Sequence, residues 1–74
     1  MSNDKYQMIP QINAIYHNKQ YDLIFIVIGK EYDEKRRMLP MYKVKFLNIS
    51  EHGPDINLYS QKANLFHKDH TIEL

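Results

Sequence analysis

The sequence predicts a mainly β domain built from five short strands, and three features carry that prediction. Apolar residues recur with period two more regularly than with the ~3.6 of a helix. Isoleucine, valine, tyrosine and phenylalanine occupy most of the apolar positions, as residues that fit a pleated surface do. Polar turn segments, His17-Asn18-Lys19-Gln20 and Ser50-Glu51-His52-Gly53-Pro54-Asp55, separate the apolar runs.

The first strand is expected over residues 11–16, with Ile12, Ala14 and Tyr16 sharing the inner face. The segment His17 to Gln20 then reads as a short hairpin loop in which Asn18 can take positive φ. The second strand, residues 21–28, is apolar on both faces, with Leu23, Phe25 and Val27 on one and Ile24, Ile26 and Ile28 on the other. Gly29 follows directly, which suggests a bulge or bend. Residues 31–37 read as a charged, solvated loop or hairpin tip. The third strand follows Pro40, with Tyr42, Val44 and Phe46 inward and Lys43 and Lys45 outward. After the turn containing Gly53-Pro54, a fourth strand covers residues 56–59. One 3₁₀ turn is expected before Leu65-Phe66, and a last strand covers residues 71–74.

Composition narrows the class. A chain of 74 residues supports one domain, expected over residues 7–74 after a flexible stretch of residues 1–6, and a domain of this size has little apolar surface to spare. With no cysteine, neither disulfides nor a thiolate zinc site can add stability. The polar start Met1-Ser2-Asn3-Asp4-Lys5 lacks the features of a secretory signal, and the apolar run from Leu23 to Ile28 is too short for a membrane-spanning helix. A soluble, cytoplasmic protein is the expectation. Ten Lys and Arg against nine Asp and Glu give a net charge of +1, so bulk charge does not point to nucleic acid.

The run Ala14-Ile15-Tyr16, Tyr21 at the head of an apolar strand, and Tyr42-Lys43-Val44-Lys45-Phe46 resemble the Tudor and KOW branch of the SH3-like barrels. That resemblance implies a five-stranded barrel with one 3₁₀ turn before the last strand. Leu47-Asn48-Ile49-Ser50 stands where the usual Asp-Tyr-Gly would follow the third strand. The vocabulary rich in Lys, Asn, Ile and Tyr also resembles small proteins of phages that infect low-GC Gram-positive bacteria. Such a resemblance implies a binder that disables a host enzyme, including the replicative sliding clamp.

Gln61-Lys62-Ala63-Asn64-Leu65-Phe66 resembles the bacterial clamp-binding peptide, with one residue too many between Gln61 and Leu65. Leu65 and Phe66 would anchor in an apolar pocket and Gln61 would satisfy its rim; alternatively the pair closes the barrel. A clamp inhibitor could instead present Glu31, Asp33, Glu34, Glu51 and Asp55 to the basic wall of a DNA channel. A direct nucleic-acid binder would use Lys30, Lys35, Arg36, Arg37, Lys43 and Lys45 with Tyr32 and Tyr42 for stacking. His67 and His70 invite a metal reading, but in a strand their side chains would face opposite ways, so no metal or cofactor is expected. Ser2, Ser50, Ser60 and Thr71 lack a nucleophile context and no Gly-rich phosphate loop occurs, so no catalysis is expected. The surplus of apolar strand surface favours a homodimer covering the face of residues 21–28.

Overall fold

A computed structural model describes residues 7–33, 35, 39–49 and 56–74. The strands are β1 (Ile15–Asn18), β2 (Leu23–Asp33), β3 (Leu39–Phe46), β4 (Asn57–Ser60) and β5 (Thr71–Glu73), with a 3₁₀ turn at Asn64–Phe66. They form one antiparallel sheet in the order β4-β3-β2-β1-β5. The mainly β class, the five strands and the 3₁₀ turn before the last strand are as the sequence predicts. The sheet is not closed into a barrel: β4 and β5 are its two edges.

The first strand starts later than its apolar alternation suggests. Asn13 adopts φ 70° in a turn closed by the Ala14 amide donating to the Gln11 carbonyl at 3.2 Å, a conformation that Asn tolerates better than most residues. Ile12 is therefore carried outward and is 46% exposed rather than part of the core. The inward positions of β1 are Tyr16 and Asn18. In the hairpin that follows, Asp22 and not Asn18 takes positive φ, at 52°. The Asn18 side chain instead turns into the core, where its Oδ1 accepts from the Tyr21 amide at 2.9 Å.

Strand β2 is longer than expected because Glu31, Tyr32 and Asp33 remain paired with Met41, Pro40 and Leu39. The charged segment is thus strand up to Asp33, and β3 includes Pro40. Val27 pairs with Val44, but the next partners are Gly29 and Lys43, so Ile28 is an extra residue. One extra residue reverses the side-chain alternation. Phe25 and Val27 face the core before the bulge, and Lys30 and Tyr32 share that side after it. Gly29 does not owe its place to positive φ or to crowding, since an added Cβ would meet only Lys43 Cδ, at 3.5 Å.

The core consists of Tyr16, Phe25, Val27, Tyr42, Val44, Leu65 and Phe66. Phe25 lies 5.7 Å from Tyr16 and from Phe66, and Phe66 lies 5.7 Å from Tyr42. The two Phe66 contacts are edge-on, the arrangement in which the positive rim of one ring meets the negative face of another. Leu65 and Phe66 come from the 3₁₀ turn and cover the sheet where β4 and β5 do not meet. The Met8 amide donates to the Phe66 carbonyl at 3.0 Å and Gln7 bridges to His67, tying the incoming chain to the same turn.

Asn18 and Thr71 are the buried polar residues of this core. Asn18 Nδ2 donates to the carbonyls of Leu65 (2.9 Å) and Asn64 (3.2 Å) and to Thr71 Oγ1 (3.2 Å). Thr71 Oγ1 donates to the Leu65 carbonyl at 2.8 Å. The network joins β1, the 3₁₀ turn and β5, and among the described residues no buried side-chain polar atom lacks a partner. The expected flexible residues 1–6 and the Gly53-Pro54 turn lie outside the described residues.

Asn18→Ala takes the acceptor from the Tyr21 amide, removes the Nδ2 bonds to Asn64, Leu65 and Thr71 and leaves a cavity in the core, and should cost about 2–3 kcal/mol, read as a lowered midpoint in urea unfolding. Gly29→Ala should stabilise the protein by roughly 0.5 kcal/mol, because the folded site has room for the methyl group and the unfolded chain loses freedom; a destabilised variant would show that the bulge needs glycine. Burial, first, and then the charge of Glu73 raise the Tyr16 phenol above its ordinary value, while the Gln11 amide at its oxygen opposes them. The unfolded state then ionises first, so Tyr16 contributes stability that is whole below pH ~10 and declines as pH rises through the folded value. The loss of stability above that pH should be shallower in Tyr16→Phe.

Candidate functional site

The face of the sheet opposite the core is assembled by register. His17 lies between Ile24 of β2 and Ile72 of β5, and Ile15 lies opposite Ile26. Ile26 in turn lies opposite Lys45, and the Leu47 amide donates to the Ile24 carbonyl at 2.7 Å. The Leu74 amide donates to the Ile15 carbonyl at 2.8 Å, extending the β5 edge. Ile15, Ile24 and Ile26 are half-buried, while Ile72, Leu47 and Leu74 are 43%, 49% and 64% exposed. Side chains from four strands or their flanks thus form a partly exposed, largely apolar surface with His17 within it. Apolar patches of this kind mark interaction surfaces more often than scattered exposed residues do.

Local hydrogen bonds hold its border in place. Asn48 Oδ1 accepts from the Ile24 amide at 2.8 Å and its Nδ2 donates to the Asp22 carbonyl at 2.9 Å, so this side chain extends the β2–β3 ladder past Leu47. His17 Nε2 meets Asp22 Oδ1 at 2.9 Å across the β1–β2 turn.

Among the described residues, charged side chains singled out in the sequence are partly engaged with one another and with aromatic rings. Lys43 Nζ is paired with Glu31 Oε1 at 2.8 Å, which neutralises one cation of the basic set and one anion of the acidic set. Lys30 Nζ sits 5.2 Å from the Tyr32 ring centroid and 5.7 Å from that of Tyr42, a cation–π arrangement across the β2–β3 pair. Its contact with the Tyr32 hydroxyl, followed by the influence of Tyr42, raises the ammonium above the ordinary lysine value. Tyr42 is 3% exposed, so its ring offers no stacking surface for a base. Lys45 is exposed on the apolar face, and Lys35 is exposed at the β2–β3 hairpin. Glu34, Arg36, Arg37, Glu51 and Asp55, and the side chain of Asp33, lie outside the described residues.

Leu65 and Phe66 are 4% and 0% exposed, so the pair fills the core and cannot act as peptide anchors while the domain is folded. Gln61 is half-buried beside a shallow open groove of ~480 Å³ whose border includes Met8, Ile9 and Lys68. The premise that sets His67 and His70 on opposite faces is also overturned. They occupy a turn, not a strand, and their ring centroids are 5.2 Å apart.

Sequence reasoning identified Ile24 and Ile26 as a second apolar face but missed Ile15, Leu47, Ile72 and Leu74 as their neighbours. Period-two parity could have placed Ile72 and Leu74 on one side of β5; the pairing of β5 with β1 is what brings them beside Ile15. No protein-family model matches the chain, no curated protein matches it, and no solved structure matches the fold. Among the described residues, no helix is long and apolar enough to cross a membrane.

Ile26→Ser should lower stability by no more than about 1.5 kcal/mol, against roughly 3–5 kcal/mol for Phe25→Ala one position earlier. Urea unfolding of the two variants checks the assignment of faces; equal losses would refute it.

Proposed function

We propose that this chain is a non-catalytic binding protein whose apolar outer face takes a protein partner, and that the partner belongs to bacterial DNA replication, with the sliding clamp as the specific candidate. The observation that supports a protein partner is the partly exposed face formed by Ile15, Ile24, Ile26, Leu47, Ile72 and Leu74, with His17 and Lys45 as its polar members. The replication target and the bacterial cytoplasm rest on the phage-like composition. The strand order β4-β3-β2-β1-β5 fits an SH3-like barrel in which the 3₁₀ turn, in place of a strand pair, fills the gap. A rigid domain of this kind would act by occlusion, covering a surface that DNA or another protein must reach. A second copy of the chain over part of the same face is included in the proposal, because self-association would cover apolar surface that water otherwise meets.

The alternative, direct binding of nucleic acid through Lys43 and Lys45, has less support. Lys43 is neutralised by Glu31 and Lys30 is held against its own tyrosines. Phosphate recognition needs several cations available together.

Binding of the purified protein to an immobilised sliding clamp and to mixed-sequence DNA tests both readings. Clamp binding should persist without DNA, and the double substitution Ile26→Glu with Leu47→Glu should weaken it at least ~30-fold, equivalent to about 2 kcal/mol. Wild-type affinity in a folded double variant would remove the outer face from the site. DNA binding that falls steeply with salt, with no clamp binding, would favour the alternative. Gel filtration that yields only monomer mass at micromolar concentration would remove the second copy.

A further inference from the structure

We infer that the outer edge of β5 is the docking line for a second copy of this chain, the two β5 strands pairing antiparallel about a two-fold axis at Ile72. The inference rests on the self-association included in the proposed function and names the edge at which the copies meet. It starts from hydrogen-bond parity. The Leu74 amide donates to the Ile15 carbonyl and the Lys19 amide to the His70 carbonyl, in a register that sets Tyr16 opposite Glu73, His17 opposite Ile72 and Asn18 opposite Thr71. Positions in an antiparallel pair alternate between those that exchange backbone hydrogen bonds and those that do not. His70, Ile72 and Leu74 therefore turn their backbone groups toward β1, and Thr71 and Glu73 turn theirs away from it. Among the described residues, no strand lies beyond β5 and no turn or loop bond reaches those outward groups.

The outward row is self-complementary. With Ile72 opposite its own copy, Thr71 faces Glu73 of the second copy, and the outward amide of each meets the outward carbonyl of the other. Ile72 is 43% exposed on the outer face. Its side chain would stand beside that of the second copy at a non-bonded position, where Cα atoms lie ~4.5 Å apart and apolar pairs gain most from contact. Thr71 and Glu73 share the opposite side of the strand, so the carboxylate meets a threonine and not a like charge. The edge also lacks the devices that blunt such strands: Thr71-Ile72-Glu73 contains no lysine or proline, and its pairing with β1 runs without a bulge.

The other edge fits less well. At the end of β4 the Ser60 carbonyl already accepts from the Ala63 amide, at 3.0 Å. A β4-to-β5 contact between copies would leave a free edge at either end and propagate, whereas β5 on β5 closes as a dimer. The closed dimer carries one sheet through both copies and sets their outer faces side by side. It covers Ile72 and leaves Ile24, Ile26 and Leu47 open to another protein.

Sedimentation equilibrium of the full chain and of Glu73→Pro tests the edge. Proline at position 73 removes an outward amide and no bond to β1, a placement that edge strands tolerate. Wild-type protein should form a dimer and nothing larger, and Glu73→Pro should weaken it at least about tenfold while keeping the sheet signal in circular dichroism. A second readout does not depend on that variant. The chain has no cysteine, so Ile72→Cys supplies a single thiol that the two-fold places within disulfide range of its copy. In a glutathione redox buffer it should give a covalent dimer at concentrations where Leu58→Cys, at a site 48% exposed on β4, stays monomeric. Monomer alone, species beyond the dimer, or equal cross-linking at the two sites would overturn the edge. So would a dimer that survives Glu73→Pro and is lost in Ile26→Glu with Leu47→Glu, which would put the second copy over the outer face. Clamp binding is measured separately, so failure of the edge and failure of the protein-partner reading are told apart.

Discussion

The fold turns on one buried amide. Asn18 stands in β1 at a position whose alternation calls for an apolar side chain, and its exposure is zero. Burying an amide without partners costs several times what a typical hydrogen bond returns. Every segment that can supply those partners is consequently drawn to it: the Tyr21 amide from the turn, the Asn64 and Leu65 carbonyls from the 3₁₀ turn, and the Thr71 hydroxyl from β5. Leu65 and Phe66 can fill the open side of the sheet because their backbone is held there. Hydrophobic burial supplies the drive, and the Asn18 network selects which closing segment satisfies it.

The bulge at Ile28 decides what surrounds that core. Before it, β2 shares its inner face with β1 and β3, and Phe25 gathers rings from three elements. Beyond it, the reversed alternation brings Lys30 and Tyr32 to the side of Tyr42, beyond the packed region, while Glu31 meets Lys43 on the other side. The chain thereby separates its two resources. Lys43 is paired with Glu31 and Lys30 lies over Tyr32 and Tyr42 beyond the bulge, and the near end retains an apolar outer surface. An apolar surface made by sheet register in this way is fixed by backbone pairing and needs no pocket.

Much of the architecture was legible because the third strand alternates so regularly and because Ile24, Ile26 and Ile28 oppose Leu23, Phe25 and Val27. The placement of a 3₁₀ turn before the last strand was also accessible from the polar run ahead of Leu65. Other features were hidden for identifiable reasons. Ile12 looked inward because a turn at Asn13, stabilised by contacts with Val27, leaves no mark on period-two patterning. Asn18 read as a turn residue because local sequence favours that role, as its bond from the Tyr21 amide reflects, but the partners of its Nδ2 lie 46 to 53 residues away. The outer face was half visible: β2 displayed its share, whereas Leu47, Ile72 and Leu74 belong to it only through pairings that sequence alone does not specify. Leu65 and Phe66 looked like a docking motif because an exposed anchor and a core residue are the same chemistry in different places.

The Asn18–Thr71 contact spans 53 residues, and it bears on how the chain is made. Synthesis proceeds from the N-terminus, so β1 emerges with its amide side chain already destined for the interior but with no permanent partner. The β2–β3 hairpin can pair meanwhile, since its contacts are close in sequence. The ring of Phe66 and the hydroxyl of Thr71 follow only after the whole β2–β3 hairpin and β4 have been made. Until then a nascent sheet presents apolar residues on both faces, the condition in which small β proteins are most exposed to aggregation and to chaperones.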